Sequence, residues 1–112
     1  MAAPGERGNL FAGLTAPGGS ERFDELLARP GVRVERIVSM GQTTQPGEWY
    51  DQAGDEWVVL LTGRATLLFD GGARVELCPG DWLLIPAHAR HRVEATSSAP
   101  PCVWLAVHLP PP

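Results

Sequence analysis

The scarce chemical resource in this chain is histidine. His88, His91 and His108 all fall in the last quarter of the 112 residues, and two of them stand three apart. A neutral imidazole offers a metal ligand or a general base near neutral pH, so these residues head the candidates for chemistry. Glu56 is the carboxylate best placed to join them, because it opens the apolar run Glu56-Trp-Val-Val-Leu-Leu-Thr62. If its side chain faces a core, it needs a cation, a proton or an arginine, since an unpaired buried carboxylate costs several kcal/mol. Arg90 and Arg92 are the arginines that could serve, leaving His91 as an ordinary core histidine; a divalent ion shared with His91 is the other solution. All nine basic residues are Arg, so a Schiff-base, pyridoxal or P-loop lysine is excluded within this chain.

Short strands must position these groups. Thirteen Gly and eleven Pro suit a chain that reverses often and do not suit a helical bundle. Residues 1–19 read as an arm rich in Gly, Ala and Pro. Ser20 can cap a short helix to about Ala28 with Phe23, Leu26 and Leu27 on one face, stopped by Pro30-Gly31. Strand patterns follow at 32–38, 48–51, 56–62, 64–69, 73–77, 82–85, 91–95 and 102–109. Asp70-Gly71-Gly72 and Pro79-Gly80-Asp81 form turns between them. The 56–62 run is apolar on both faces and reads as a central strand. The expectation is one all-β domain over 32–109, of about eight or more short strands, with the helix as preface and 110–112 as tail.

Two separated motifs in this stretch resemble those of the cupins, a superfamily of small jelly-roll barrels. The first cupin motif ends in His-x-His, four residues, Glu, six residues, Gly; here Glu56 and Gly63 keep the last spacing. Trp49 and Asp51 stand where the two histidines would be. A loop one residue shorter puts Tyr50 and Gln52 inward instead, because a one-residue slip exchanges the faces of a strand. In the second motif Gly80, Pro86 and His91 match, while His88 replaces a turn glycine and Ala95 replaces an asparagine. The resemblance implies one divalent metal inside the barrel (Zn, Mn, Fe or Ni). Its implied ligands are Asp51, Glu56 and His91, with Gln52 or His108 as further donors. An oxygen-rich set of this kind favours a hard or borderline ion over a thiolate metal.

Around such a site, Tyr50 and His88 are candidate proton donors, and Trp49 and Arg90 candidate pocket residues that line or clamp a small polar substrate. For His88 the alternative is a local hydrogen bond in its turn. His108 ligates only if the face it shares with Trp104 and Ala106 points inward. The expected function is a metal-binding cupin acting on a small polar molecule, as a lyase, isomerase or dioxygenase. The alternative is a non-catalytic binding or sensor module with a vestigial site. Trp57 alternates away from Glu56 and suits a sheet-to-sheet homodimer.

Net charge is −4 and the arginines are scattered, which disfavours nucleic acid as a partner. No apolar run approaches the length of a membrane span, and Met1 to Arg7 lacks a secretory pattern; both point to a cytoplasmic protein. Cys78 and Cys102 form no Cys-x-x-Cys motif and read as two reduced thiols.

Overall fold

Period-two burial is the organising pattern. Along Glu56–Thr62 (β3), Glu56, Val58 and Leu60 are buried while Trp57 and Val59 are half-exposed. The computed structural model describes residues 5–15 and 18–111 and contains eight strands. The others are Arg22–Arg29 (β1), Val32–Ser39 (β2), Ala65–Phe69 (β4), Arg74–Leu77 (β5), Trp82–Ile85 (β6), His91–Thr96 (β7) and Cys102–His108 (β8). They form two antiparallel sheets, ordered β1-β2-β8-β3-β6 and β5-β4-β7. The all-β jelly-roll expectation holds, and β3 is central, flanked by β8 and β6.

The core lies between the inner faces of the two sheets. Ile37, Val58, Leu60, Trp104 and Ala106 from the larger sheet meet Ala65, Leu67, Leu77 and Val93 from the smaller one. Trp104 is 2 % exposed, and its indole N–H donates to Ser39 Oγ at 3.2 Å, so burying the ring strands no donor. On the outer face of β2, Arg36 donates to the carbonyls of Leu10 and Ala12 and pairs with Asp24 at 2.7 Å. These bonds hold the N-terminal arm against the sheet.

The expected helix at 20–28 does not form. Its residues make β1, which pairs antiparallel with β2 from Arg22↔Val38 to Arg29↔Val32 around the turn at Pro30-Gly31. A helix of this length is marginal in water, and its apolar face would have had to find a core. As an edge strand the segment instead satisfies its backbone on β2. A bulge at Leu26 absorbs the irregular register, and Phe23, Leu26 and Leu27 stay largely exposed. The strand expected at 48–51 also shrinks. Only Tyr50 bridges His91, its N–H reaching the His91 carbonyl at 2.7 Å and its carbonyl accepting at 3.1 Å.

Gly63 closes the turn between β3 and β4 with φ of 85°, against the buried backbone of Cys102. A Cβ there would lie 2.8 Å from both Cys102 Cα and Sγ and 2.9 Å from the Pro101 carbonyl oxygen. Gly63→Ala is therefore expected to destabilise the fold by on the order of 3 kcal/mol, combining left-handed strain with overpacking against backbone. Urea denaturation of the variant measures this, and an unchanged midpoint would contradict the close approach.

Candidate functional site

The open end of the barrel holds a chamber of about 460 Å³, its open mouth included. It is built from strand ends. Glu56 opens β3, His91 opens β7, His108 closes β8, and Glu35 lies on the inner face of β2. Glu56 and His108 are direct cross-strand partners, so register alone places them side by side. Tyr50 and Gln52 enter from the loop between β2 and β3, and Glu21 from just before β1. Beneath these polar groups lie Val58, Leu67, Ile85, Val93 and Trp104.

His91 is the most constrained of them. Its ring is held between Tyr50, with centroids 5.5 Å apart, and Phe69, at 5.7 Å. Its Nδ1 is 2.8 Å from the Ala89 carbonyl, which can only accept, so Nδ1 carries the proton. In the neutral ring Nε2 then keeps its lone pair, and it faces Glu56 Oε1 at 3.9 Å. Glu56 in turn accepts 3.2 Å from the Gln52 amide nitrogen. Neither candidate arginine reaches this carboxylate. Arg90 pairs with Asp70 at 2.9 Å and lies over the Trp49 ring, while Arg92 donates to the Thr44 carbonyl at 2.8 Å.

A second pair faces the same space. His108 Nε2 stands 2.7 Å from Glu35 Oε1, and Arg33 lies 3.4 Å from the other oxygen of Glu35. The His108 hydrogen bond is the main reason the Glu35 carboxyl sits below its usual range. Glu21 shifts the other way. Burial pushes it up, partly offset by the hydrogen bond it accepts from Ser39, and the Glu56 charge adds to the rise. Burial, then the charges of Glu21, Glu56 and Glu35, raise the Tyr50 phenol, which keeps it a proton donor at neutral pH.

The structure thus brings Tyr50, Gln52, Glu56, His91 and His108 together and leaves other candidates outside. Asp51 is exposed and takes His88 Nδ1 at 2.8 Å on the surface, so the shorter-loop register, with Tyr50 and Gln52 inward, is the one adopted. His88 has φ of 62°, in keeping with the turn position where cupins carry glycine. Its N–H donates to the Gln52 carbonyl at 2.7 Å, which pins the loop from outside. Trp49 lines a neighbouring cleft, and Arg90 lines neither cavity but covers that tryptophan. Sequence reasoning missed Glu21 and Glu35. Glu35 had a signal, since it alternates with Ile37 on a strand whose inward face must be covered.

Does this chamber suit a divalent ion? Glu56 gives a carboxylate, His91 a free imidazole nitrogen, and Gln52 a neighbouring amide. His108 Nε2 is already engaged by Glu35. Among the described residues no three His, Cys, Asp or Glu side chains converge as a metal cluster. One carboxylate, one imidazole and one amide fit an ion that keeps water on its remaining positions, as hard and borderline cations do.

A two-sheet antiparallel barrel of this order defines the jelly-roll class. Residues 37–108 match the cupin domain family, and the chain belongs to it. A solved structure from Ralstonia eutropha JMP134, named a "putative mannose-6-phosphate isomerase", is 47 % identical, with TM-score 0.89 over 95 % of this chain and 99 % of that one. A cupin superfamily protein from Desulfitobacterium hafniense is 24 % identical, with TM-score 0.76 over 96 % and 94 %. No curated protein matches the sequence.

The Glu35–His108 pair carries a pH prediction. A carboxyl held below its ordinary value of 4.5 contributes stability that is complete above that pH and lost as pH falls through the folded value. His108→Ala should lower stability at pH 7 by about 1.5–3 kcal/mol, the range for a hydrogen bond to a charged group. It should also flatten the loss of stability below pH 5. Denaturation midpoints across pH 3–7 check both; a parallel offset at every pH would assign the cost to lost packing.

Proposed function

We propose that the protein is a small-molecule-binding cupin whose barrel-mouth chamber holds one divalent cation (Zn, Mn, Fe or Ni) on Glu56 and His91, with Gln52 as the neighbouring oxygen donor. The observation that carries this reading is the His91–Glu56 arrangement. A buried imidazole with its Nδ1 proton fixed presents a bare Nε2 to a buried carboxylate that no arginine neutralises. A cation between them answers the charge that burial would otherwise penalise. Such an ion would act as a Lewis acid on an oxygen of the bound molecule.

The remaining groups serve that molecule. Tyr50, kept protonated, donates a proton at the chamber mouth, and the apolar floor of Val58, Leu67 and Val93 excludes water beneath it. Acid–base groups around one oxygen-binding point suit an isomerase or lyase better than a dioxygenase. The name of the Ralstonia eutropha relative is in keeping with the first of these. A binding module without turnover is the second reading, favoured by Trp49 and Asp51 standing outside the chamber where cupins place two histidines.

The protein is further proposed to work in the cytoplasm, in keeping with Cys78 and Cys102 as free thiols. It is also proposed to pair as a homodimer through the outer face of β3 and β6. There Trp57 packs on Trp82 at 6.2 Å, and Trp82 and Leu84 are 63 % and 47 % exposed.

Elemental analysis after dialysis should find close to one divalent ion per chain, and His91→Ala should lose most of it while unfolding cooperatively. Protein that stays metal-free after reconstitution would refute the cation site; metal retained by the variant would misplace it. Trp82→Asp should convert a dimer to a monomer in light scattering coupled to gel filtration, and a wild-type monomer would remove the pairing.

A further inference from the structure

The chamber does not end at Tyr50. Glu21, Phe23 and Tyr50 also line a second cleft of about 490 Å³, open-solvent margin included, with Thr43, Gln45 and Trp49 on its far side. We propose that chamber and cleft form one two-part site for an uncharged polyhydroxylated molecule, a sugar or polyol, and that its phosphorylated form is rejected. This extends the reading of the chamber as a ligand site and does not require the cation.

Charge decides the first half. Phosphate recognition uses arginine forks, lysine or backbone nests, and the chain has no lysine. Among the described residues no arginine lines either compartment. The arginines close to them are committed elsewhere: Arg90 to Asp70, Arg92 to the Thr44 carbonyl, Arg33 to Glu35. Three glutamates line the chamber, and a dianion entering it would meet like charge in a partly desolvated space.

Hydrogen bonding decides the second half. In the chamber an organic cation would seek free carboxylates, but Glu35 is paired with His108, Glu21 accepts from Ser39, and Glu56 accepts from Gln52; Glu48 lines the cleft and not the chamber, at an exposed position. Each of these bonds uses one oxygen of its carboxylate. Among the described residues the second oxygens of Glu21 and Glu56 accept no hydrogen bond, and no buried side-chain oxygen lacks a partner. Those two oxygens are therefore accessible and available to hydroxyl donors. The cleft adds neutral partners of both kinds in Ser20, Thr43 and Gln45. Trp49, Tyr50 and Phe23 supply flat apolar surface of the sort that covers the C–H face of a sugar ring. Hydroxyl-matched polar groups beside aromatic faces describe a carbohydrate site more closely than an anion or cation site.

Calorimetric titration tests this with glucose, fructose, xylose and sorbitol, each against its phosphate ester, on chelator-treated and Mn²⁺-reconstituted protein. At least one free sugar or polyol should bind, its ester at least tenfold more weakly. Trp49→Ala should weaken the free compound tenfold or more, with Trp49→Phe restoring part of the loss and the metal content of both variants unchanged. Gln45→Ala, at an exposed position, should weaken it several-fold and serves if the tryptophan variant fails to fold. Esters that bind as well as the free compounds, a panel in which nothing binds, or a Trp49→Ala affinity equal to wild type overturns the proposal. Sugar binding by protein that takes up no metal would sink the cation site alone, and metal uptake without sugar binding would sink this inference alone.

Discussion

A carboxylate at the buried start of a central strand is the constraint on which the mouth of this barrel depends. Glu56 is 7 % exposed, sits between His108 and Ile85 in the sheet, and among the described residues pairs with no arginine. Burying it unpaired would cost several kcal/mol, a large share of the stability of a domain this size. The surrounding structure reads as a set of answers to that cost. Gln52 donates to it, and His91 is clamped between two aromatic rings so that Nε2 faces it. The loop that carries Gln52 is fixed by a Tyr50–His91 backbone bridge on one side and by the His88 N–H on the other. The strain of His88 at positive φ is of the order of 1–3 kcal/mol and belongs to the same arrangement. It holds the backbone where a glycine would have been relaxed, and its imidazole ties down Asp51 outside the barrel.

The barrel was largely legible because most of its strands alternate and its turns carry glycine and proline where the backbone reverses. β3 announced itself by apolar residues on both faces, and seven of the eight strands lie on segments whose pattern is β-branched or alternating. The eighth, β1, was misread because Phe23, Leu26 and Leu27 have helical spacing. Pairing along β2 outweighed that local signal, and a bulge at Leu26 broke the alternation that would have revealed it. Periodicity describes a face; it does not say whether a neighbouring edge is waiting to be paired.

The site was legible in a different proportion. Glu56 and His91 follow from motif spacing, since both begin strands whose phase is fixed by the core. Residues 49–52 could not be phased, because they lie in a loop where one residue of slack exchanges Asp51 for Gln52, and only the backbone bridge at Tyr50 decides. Glu35 and Glu21 were invisible for a related reason. Their importance comes from partners 73 and 18 residues away, His108 and Ser39, which only the sheet order brings near.

That order also explains why His108 does not simply replace the nitrogen that Trp49 cannot supply. β8 lies between β2 and β3, so the residue ending it has a carboxylate on either side: Glu56 as direct partner, Glu35 on the adjacent strand. At 2.7 Å Glu35 takes Nε2, and Arg33 steadies that carboxylate from the far side. A hydrogen bond held this way keeps the imidazole fixed and its Nε2 occupied, so His108 does not turn that nitrogen to an ion. The chamber therefore contains two carboxylate–imidazole pairs, Glu56 facing His91 and Glu35 bonded to His108, with Glu21 beside them. Such a mouth sets three glutamates against an anionic ligand. It has many oriented acceptors and donors, and that combination is what turns a degenerate ligand set into a surface suited to hydroxyl groups.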